Sequence, residues 1–166
     1  MGHCAVTLED LLLDFEQTAA RWQRFFQENP GAASVPCDIA KSTNVSALVW
    51  HIYAAAYRVS ERLLNEPVSD LEAMTPVKDL NGAFSLKVAA AARIKQFLET
   101  TNEAALNETY ELATPTGLKI STSRRKLCLH IFVHAMRHWA QIVPLVRLGG
   151  YPPAWPQDVL FSKAIR

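Results

Sequence analysis

Three histidines, His130, His134 and His138, fall four residues apart in a stretch that contains neither glycine nor proline. On an α-helix such residues share one face, with about 6 Å of rise between neighbours. A neighbouring pair can therefore bring two imidazole nitrogens to about 2 Å from one metal ion. His130 and His138, about 12 Å apart along the axis, cannot both bind that ion, so a third ligand must come from elsewhere. Two other histidines exist. His3 sits at an N-terminus expected to fray, whereas His51 lies early in a second helical stretch. The chemistry these residues offer is a three-histidine site, His51 with His134 and His138, that keeps positions open for water or substrate. That pattern belongs to a reactive metal rather than a closed structural one. The plainer alternative is a histidine ladder that only packs.

The elements that must position these side chains follow from apolar periodicity. A first helix is expected from Thr7, with Asp10 completing a near capping box, to about Asn29; Leu8, Leu11, Leu12, Phe15, Ala19, Trp22 and Phe26 form its core stripe. Residues 30–42 read as a link. A second helix starts near Thr43 or Asn44, stops near Asn65, and buries Leu48, Val49, Ile52, Ala56, Val59 and Leu63. His51 lies beside that arc among small alanines, which leave room for a cleft. Arg58, two turns further along, is placed to meet an anionic group, or else to stand solvated. A connection over residues 66–84 follows, long for antiparallel neighbours. It suits a four-helix bundle in which one connection runs the length of the bundle and leaves helices two and three parallel.

The third helix is expected from about Ser85 to Thr101, with a further short turn capped by Asn102. Residues 107–121 read as a hairpin-like excursion. The fourth helix, capped by Thr122 or Ser123, runs to about Leu148, with Pro144 predicted to kink it or loosen a hydrogen bond near Ala140. Gln141 shares the histidine face, where it could hydrogen-bond a metal-held water or a substrate. Phe132, Met136, Trp139 and Val143 make the opposite side apolar, so the tail or a second subunit is expected to cover it. Arg124, Arg125 and Lys126 open this helix and could hold an anion there; a solvated basic face is the simpler role. Cys128 falls off the histidine face and reads as core.

The chain of 166 residues, 49% hydrophobic and 20% charged, fits one folded domain over residues 1–166. No apolar run has the length of a membrane span, and the N-terminus lacks the apolar core of a secretory signal. Three cysteines, Cys4, Cys37 and Cys128, are odd in number and form no CxxC pair. They suggest reduced thiols and a cytoplasmic protein. The net charge of +1 hides an asymmetry, because residues 117–166 carry eight Lys/Arg against one acid (+7), leaving −6 on the rest. A basic end can draw nucleic acid or a small anionic substrate. No helix-turn-helix pattern, zinc-finger spacing or basic glycine-rich tail accompanies it, so nucleic acid is not expected and a small-molecule partner is.

The stretch from His134 through His138, Trp139, Ala140 and Gln141 to Ile142 resembles the helix-four motif of the DinB/YfiT-like superfamily. In that superfamily a histidine, three residues and a second histidine precede Arg-Gly-Gln-Ile. The apolar turn, Gly149-Gly150 and Pro152-Pro153 that follow are similar as well, as is the alanine-rich helix-two stretch opened by His51. The resemblance covers nearly the whole chain; Trp139 and Ala140 replace the usual Arg-Gly. It implies an all-α, up-down-down-up four-helix bundle and a Zn or Ni ion on His51, His134 and His138. It also selects His134/His138 over His130/His134 as the helix-four pair. Characterised members of the superfamily resemble thiol transferases and isomerases that use a low-molecular-weight thiol. With such a metal the reacting group would be a thiolate or water bound to it, the basic C-terminal third would help hold the thiol's carboxylates, and Arg58 is the candidate cofactor-binding residue. A metal-dependent hydrolase and a non-catalytic metal-binding or stress-response protein are the alternatives, and a homodimer is possible.

Overall fold

The computed structural model describes residues 6–70, 79–113 and 117–165; His3, Cys4 and part of the connection after the second helix lie outside them. Helix α1 (Leu8–Glu28) opens on a closed capping box. The Thr7 hydroxyl accepts the Asp10 amide, and the Asp10 carboxylate accepts the Thr7 backbone N–H. Its buried face is Leu12, Phe15, Ala19, Trp22, Phe25 and Phe26. Helix α2 (Val45–Leu63) is capped by the Asn44 side chain, which accepts the Ala47 amide at 2.9 Å. The whole expected arc from Leu48 to Leu63 is buried. Helix α2 ends at Leu64 and Asn65, where Asn65 takes a left-handed backbone with φ 55°.

The link at residues 30–42 carries more structure than its composition suggests. A 3-10 turn (Pro30–Ser34) leads into an antiparallel hairpin of β1 (Pro36–Ile39) and β2 (Ser42–Asn44). Its turn residues Ala40 and Lys41 both have positive φ. Neither is the Asn or Gly that usually marks such a turn, which is why the hairpin escapes sequence reading.

Helix α3 (Leu80–Thr100) begins five residues before the expected Ser85. Asp79 is its N-cap, accepting the Gly82 amide at 2.8 Å. The pair Asn81-Gly82, which falls in the connection expected over residues 66–84, occupies the first helical turn instead. A short α4 (Glu103–Asn107) capped by Asn102 follows as expected. The second hairpin, β3 (Thr109–Ala113) against β4 (Lys119–Ser123), pairs Leu112 with Ile120. Helix α5 (Arg124–Leu148), capped by Ser123, continues through Pro144.

Helix α2 packs against α3 and α5, and α1 packs against the same two helices. Phe15 and Tyr53 meet edge-on in the centre, with ring centroids 5.7 Å apart. The expected cover for the second face of α5 comes from α1 and the tail. Trp22 stacks on Trp139 at 4.7 Å, and Trp155 of the tail meets Trp22 edge-on at 5.3 Å. Met136 is the exception on that face, 42% exposed. Among the described residues no helix is long and apolar enough to cross a membrane.

Two side chains expected to greet an anion at the start of α5 are instead structural. The guanidinium of Arg124 donates to the Leu63 carbonyl at 3.0 Å and to Asn65 at 2.9 Å, and pairs with Glu108. It ties the N-terminus of α5 to the C-terminus of α2, where free carbonyls favour a cation. Arg125 pairs with Glu103 on α4.

Candidate metal centre

The Arg124 clamp and the aromatic core hold α2 and α5 side by side. With the start of α5 fixed at the end of α2, His51 near the start of α2 meets the middle of α5. His51 stands 5.1 Å from His134 and 5.0 Å from His138, centroid to centroid. One nitrogen from each of the three rings lies within 4.8 Å of the others. The Nε2 atoms of His134 and His138 are 3.2 Å apart. Two nitrogens bound about 2.0–2.1 Å from one tetrahedral ion stand about 3.3 Å apart, so this spacing fits the donor set to a metal such as zinc. All three rings are half-buried, placed to bind an ion and still admit a ligand.

Electrostatics prepare two of these rings, His51 and His134. Burial, then the neighbouring His138, His51 and His130, and Arg137, push the His134 pKa down to about 3. Burial and His138 lower that of His51. At neutral pH both imidazoles are therefore uncharged and offer a lone pair without first losing a proton. Bringing basic rings together away from solvent disfavours protons and leaves the cluster ready for a different cation.

Gln141 lies beside His138 on the histidine face, where it was expected. Its Oε1 lies 2.7 Å from Nδ1 of His138. An amide oxygen only accepts, so Nδ1 carries the proton and Nε2 is left as the donor atom facing His134. Gln141 thus orients the ring behind the site, a position often filled by a carboxylate in metal centres. No acidic residue in the sequence could be assigned that role, and a helical i, i+3 amide supplies it.

His130 stays outside the trio. Its ring is 5.3 Å from that of His134 and lines a separate cavity of about 480 Å³ between α2, α5 and the second hairpin. Arg58 lies on the His51 stripe of α2, as expected, and lines this cavity. It also lines a second one of about 380 Å³ that contains His51. Arg62, one turn further on, lines both as well; its place at i+11 from His51 on the same stripe was readable from spacing. The hairpin residues Leu112 and Ile120 complete the first cavity, and no periodicity in the chain indicates that. Cys128 is fully buried, and burial raises its thiol pKa to about 12, so it is inert core.

A helical bundle that brings three histidines from two helices to one point defines a class of protein, one able to hold a metal between its helices. The family comparison agrees and is more specific: the DinB family matches residues 5–164, and this chain belongs to it. Among curated proteins no relative matches.

Proposed function

We propose that this protein is a metal-dependent enzyme of the thiol S-transferase type, acting with a low-molecular-weight thiol. In this reading His51, His134 and His138 hold a Zn or Ni ion within an up-down-down-up bundle. The observation that carries the proposal is the convergence of three imidazoles from α2 and α5 on one point, two of them held uncharged by burial and their neighbours. The order of contacts supports the topology: Tyr53 meets Phe84 and the later Tyr57 meets the later Arg93, as two parallel helices require.

Bound there, a divalent ion favours the thiolate over the thiol at neutral pH. The chain supplies the rest. His51 and His134 stay neutral through burial, and Gln141 holds the proton of His138 on Nδ1. Arg58 and the neighbouring basic residues attract the anionic groups of the reactants. In the net reaction the sulfur lone pair forms the new S–C bond, the leaving group departs with its electron pair, and the thiol proton passes to solvent.

The test begins with elemental analysis of protein purified without an affinity tag, wild type beside His51→Ala. About one metal per chain, lost in the variant while the helical signal remains, supports the site. Consumption of monochlorobimane is then followed with cysteine, glutathione or coenzyme A as the thiol. Thiol-dependent turnover abolished by His134→Ala supports the transferase. Turnover of ester substrates without any thiol would make it a hydrolase, and metal binding with neither activity would make it a binder. A wild type that takes up neither zinc nor nickel would sink the proposal.

A further inference from the structure

Arg58 and Arg62 stand where a charged group is poorly served by the protein itself. The Nε of Arg58 is buried with no hydrogen-bond partner, and among the described residues no carboxylate forms an ion pair with either guanidinium. Arg62 gives one bond, from Nη1 to the Arg58 carbonyl at 3.2 Å. The two cations lie one helical turn apart, and burial together with the Arg58 charge lowers the Arg62 pKa. Glu61, the nearest acid in sequence, is buried and accepts the Ser69 amide and hydroxyl; its charge offsets part of the Arg62 shift without forming an ion pair. Two adjacent half-buried guanidinium groups with no ion-paired carboxylate repel one another, and a bound carboxylate relieves that repulsion and meets the unpartnered Arg58 donor.

The space beside them has a different chemistry. The cavity of about 480 Å³ is walled by Val59 and Leu127 from the helices and by Leu112 and Ile120 from the hairpin. Lys126 stands at its rim and His130 on its α5 side. The second cavity, on the other side of the arginines, reaches His51 and is bounded by Asp70. Along α2 the guanidinium pair begins two turns, up to about 10 Å, from His51. An apolar compartment with a cationic end and a metal-binding cluster within that reach is the arrangement of a site for an amphiphilic anion.

We propose that this compartment binds the co-substrate of the transfer, an apolar small molecule bearing a carboxylate. Arg58 and Arg62 take the carboxylate, and the hairpin and helix walls take the apolar body. The role as co-substrate rests on the transferase reading, whereas the binding site stands apart from it.

Octanoate, octanesulfonate and octanol are the probes, titrated calorimetrically into the full-length chain with zinc loaded and after chelation. Octanoate and octanesulfonate are expected to bind in both states and octanol about tenfold or more weakly. Arg58→Met and Arg62→Gln each remove that preference while metal content and helical signal stay unchanged; Ile120→Ser weakens all three probes. Equal binding of octanol, or no effect of either arginine substitution, overturns the proposal. So does octanoate binding that needs zinc and is not shared by octanesulfonate, because the carboxylate then sits on the metal. Glutathione competing for Arg58 where octanoate does not bind would also overturn it, assigning the arginines to a polar thiol. Because the chelated protein is one arm, failure of the transferase reading and failure of this site give different results.

Discussion

At the scale of single residues, the centre depends on proton placement as much as on ligand count. Gln141 keeps the His138 proton on Nδ1 and so keeps Nε2 free. Replacing it by leucine leaves all three imidazoles in place but releases the tautomer. Gln141→Leu is expected to weaken zinc affinity by about 10–100-fold in a competition titration with a chromophoric chelator. Acid acts on His134. Its folded-state pKa of about 3 lies below the ordinary value of 6.5, so below pH 6.5 the unfolded chain binds a proton that the folded metal-free chain refuses. Stability of the metal-free protein is therefore intact above about pH 6.5 and falls as the pH drops toward 3. Urea midpoints measured across that range should decline in the wild type and decline less in His134→Asn; equal slopes would remove His134 as the cause.

At the scale of elements, the site is assembled by helix ends. Asn44 starts the helix that carries His51, two turns before the histidine, and its cap is a single side-chain bond to the Ala47 amide. Asn44→Ala is expected to cost about 1 kcal/mol in a denaturant titration, with zinc still bound once the protein is folded. Loss of zinc without loss of stability would show that the cap positions His51 rather than merely starting α2. Such ends were legible in the chain: Thr7 with Asp10, Asn44, Asn102 and Ser123 are all found as caps. The start of α3 was not, because Asn81-Gly82 carries a turn signature that the Asp79 cap overrides. The hairpin at Ala40 and Lys41 was hidden for the converse reason, since the pairing of β1 with β2 imposes left-handed backbone on two exposed residues that do not prefer it.

At the scale of the molecule, one metal would join α2 to α5 and so join residues about eighty apart in the chain. Zinc at a hundredfold excess over its dissociation constant adds about 2.7 kcal/mol to the folded state. For a domain of this size that raises the thermal midpoint by about 5–10 °C. Differential scanning calorimetry should show the rise in the wild type and its absence in His51→Ala; a rise of the same size in both would place the ion elsewhere. The same antiparallel setting of α2 and α5 aligns the His51–Arg58–Arg62 stripe with the His130–His134–His138 stripe and leaves the apolar compartment between them.

Spacing alone determined that His130, His134 and His138 share a helical face, that at most neighbouring two could serve one ion, and that Arg58 shares the stripe of His51. These are consequences of the helical repeat, which is local and encoded residue by residue. The gathering of His51 with His134 and His138, and the isolation of His130 beside a different cavity, were decided by the tertiary structure. They depend on how far α5 slides along α2, a register set by the Arg124 clamp and by the contact of Tyr53 with Trp139. The diversion of Arg124 and Arg125 into structural pairs, and of Gln141 onto His138, has the same origin. A side chain's periodicity says which way it faces, and only the packed fold says which groups stand within reach.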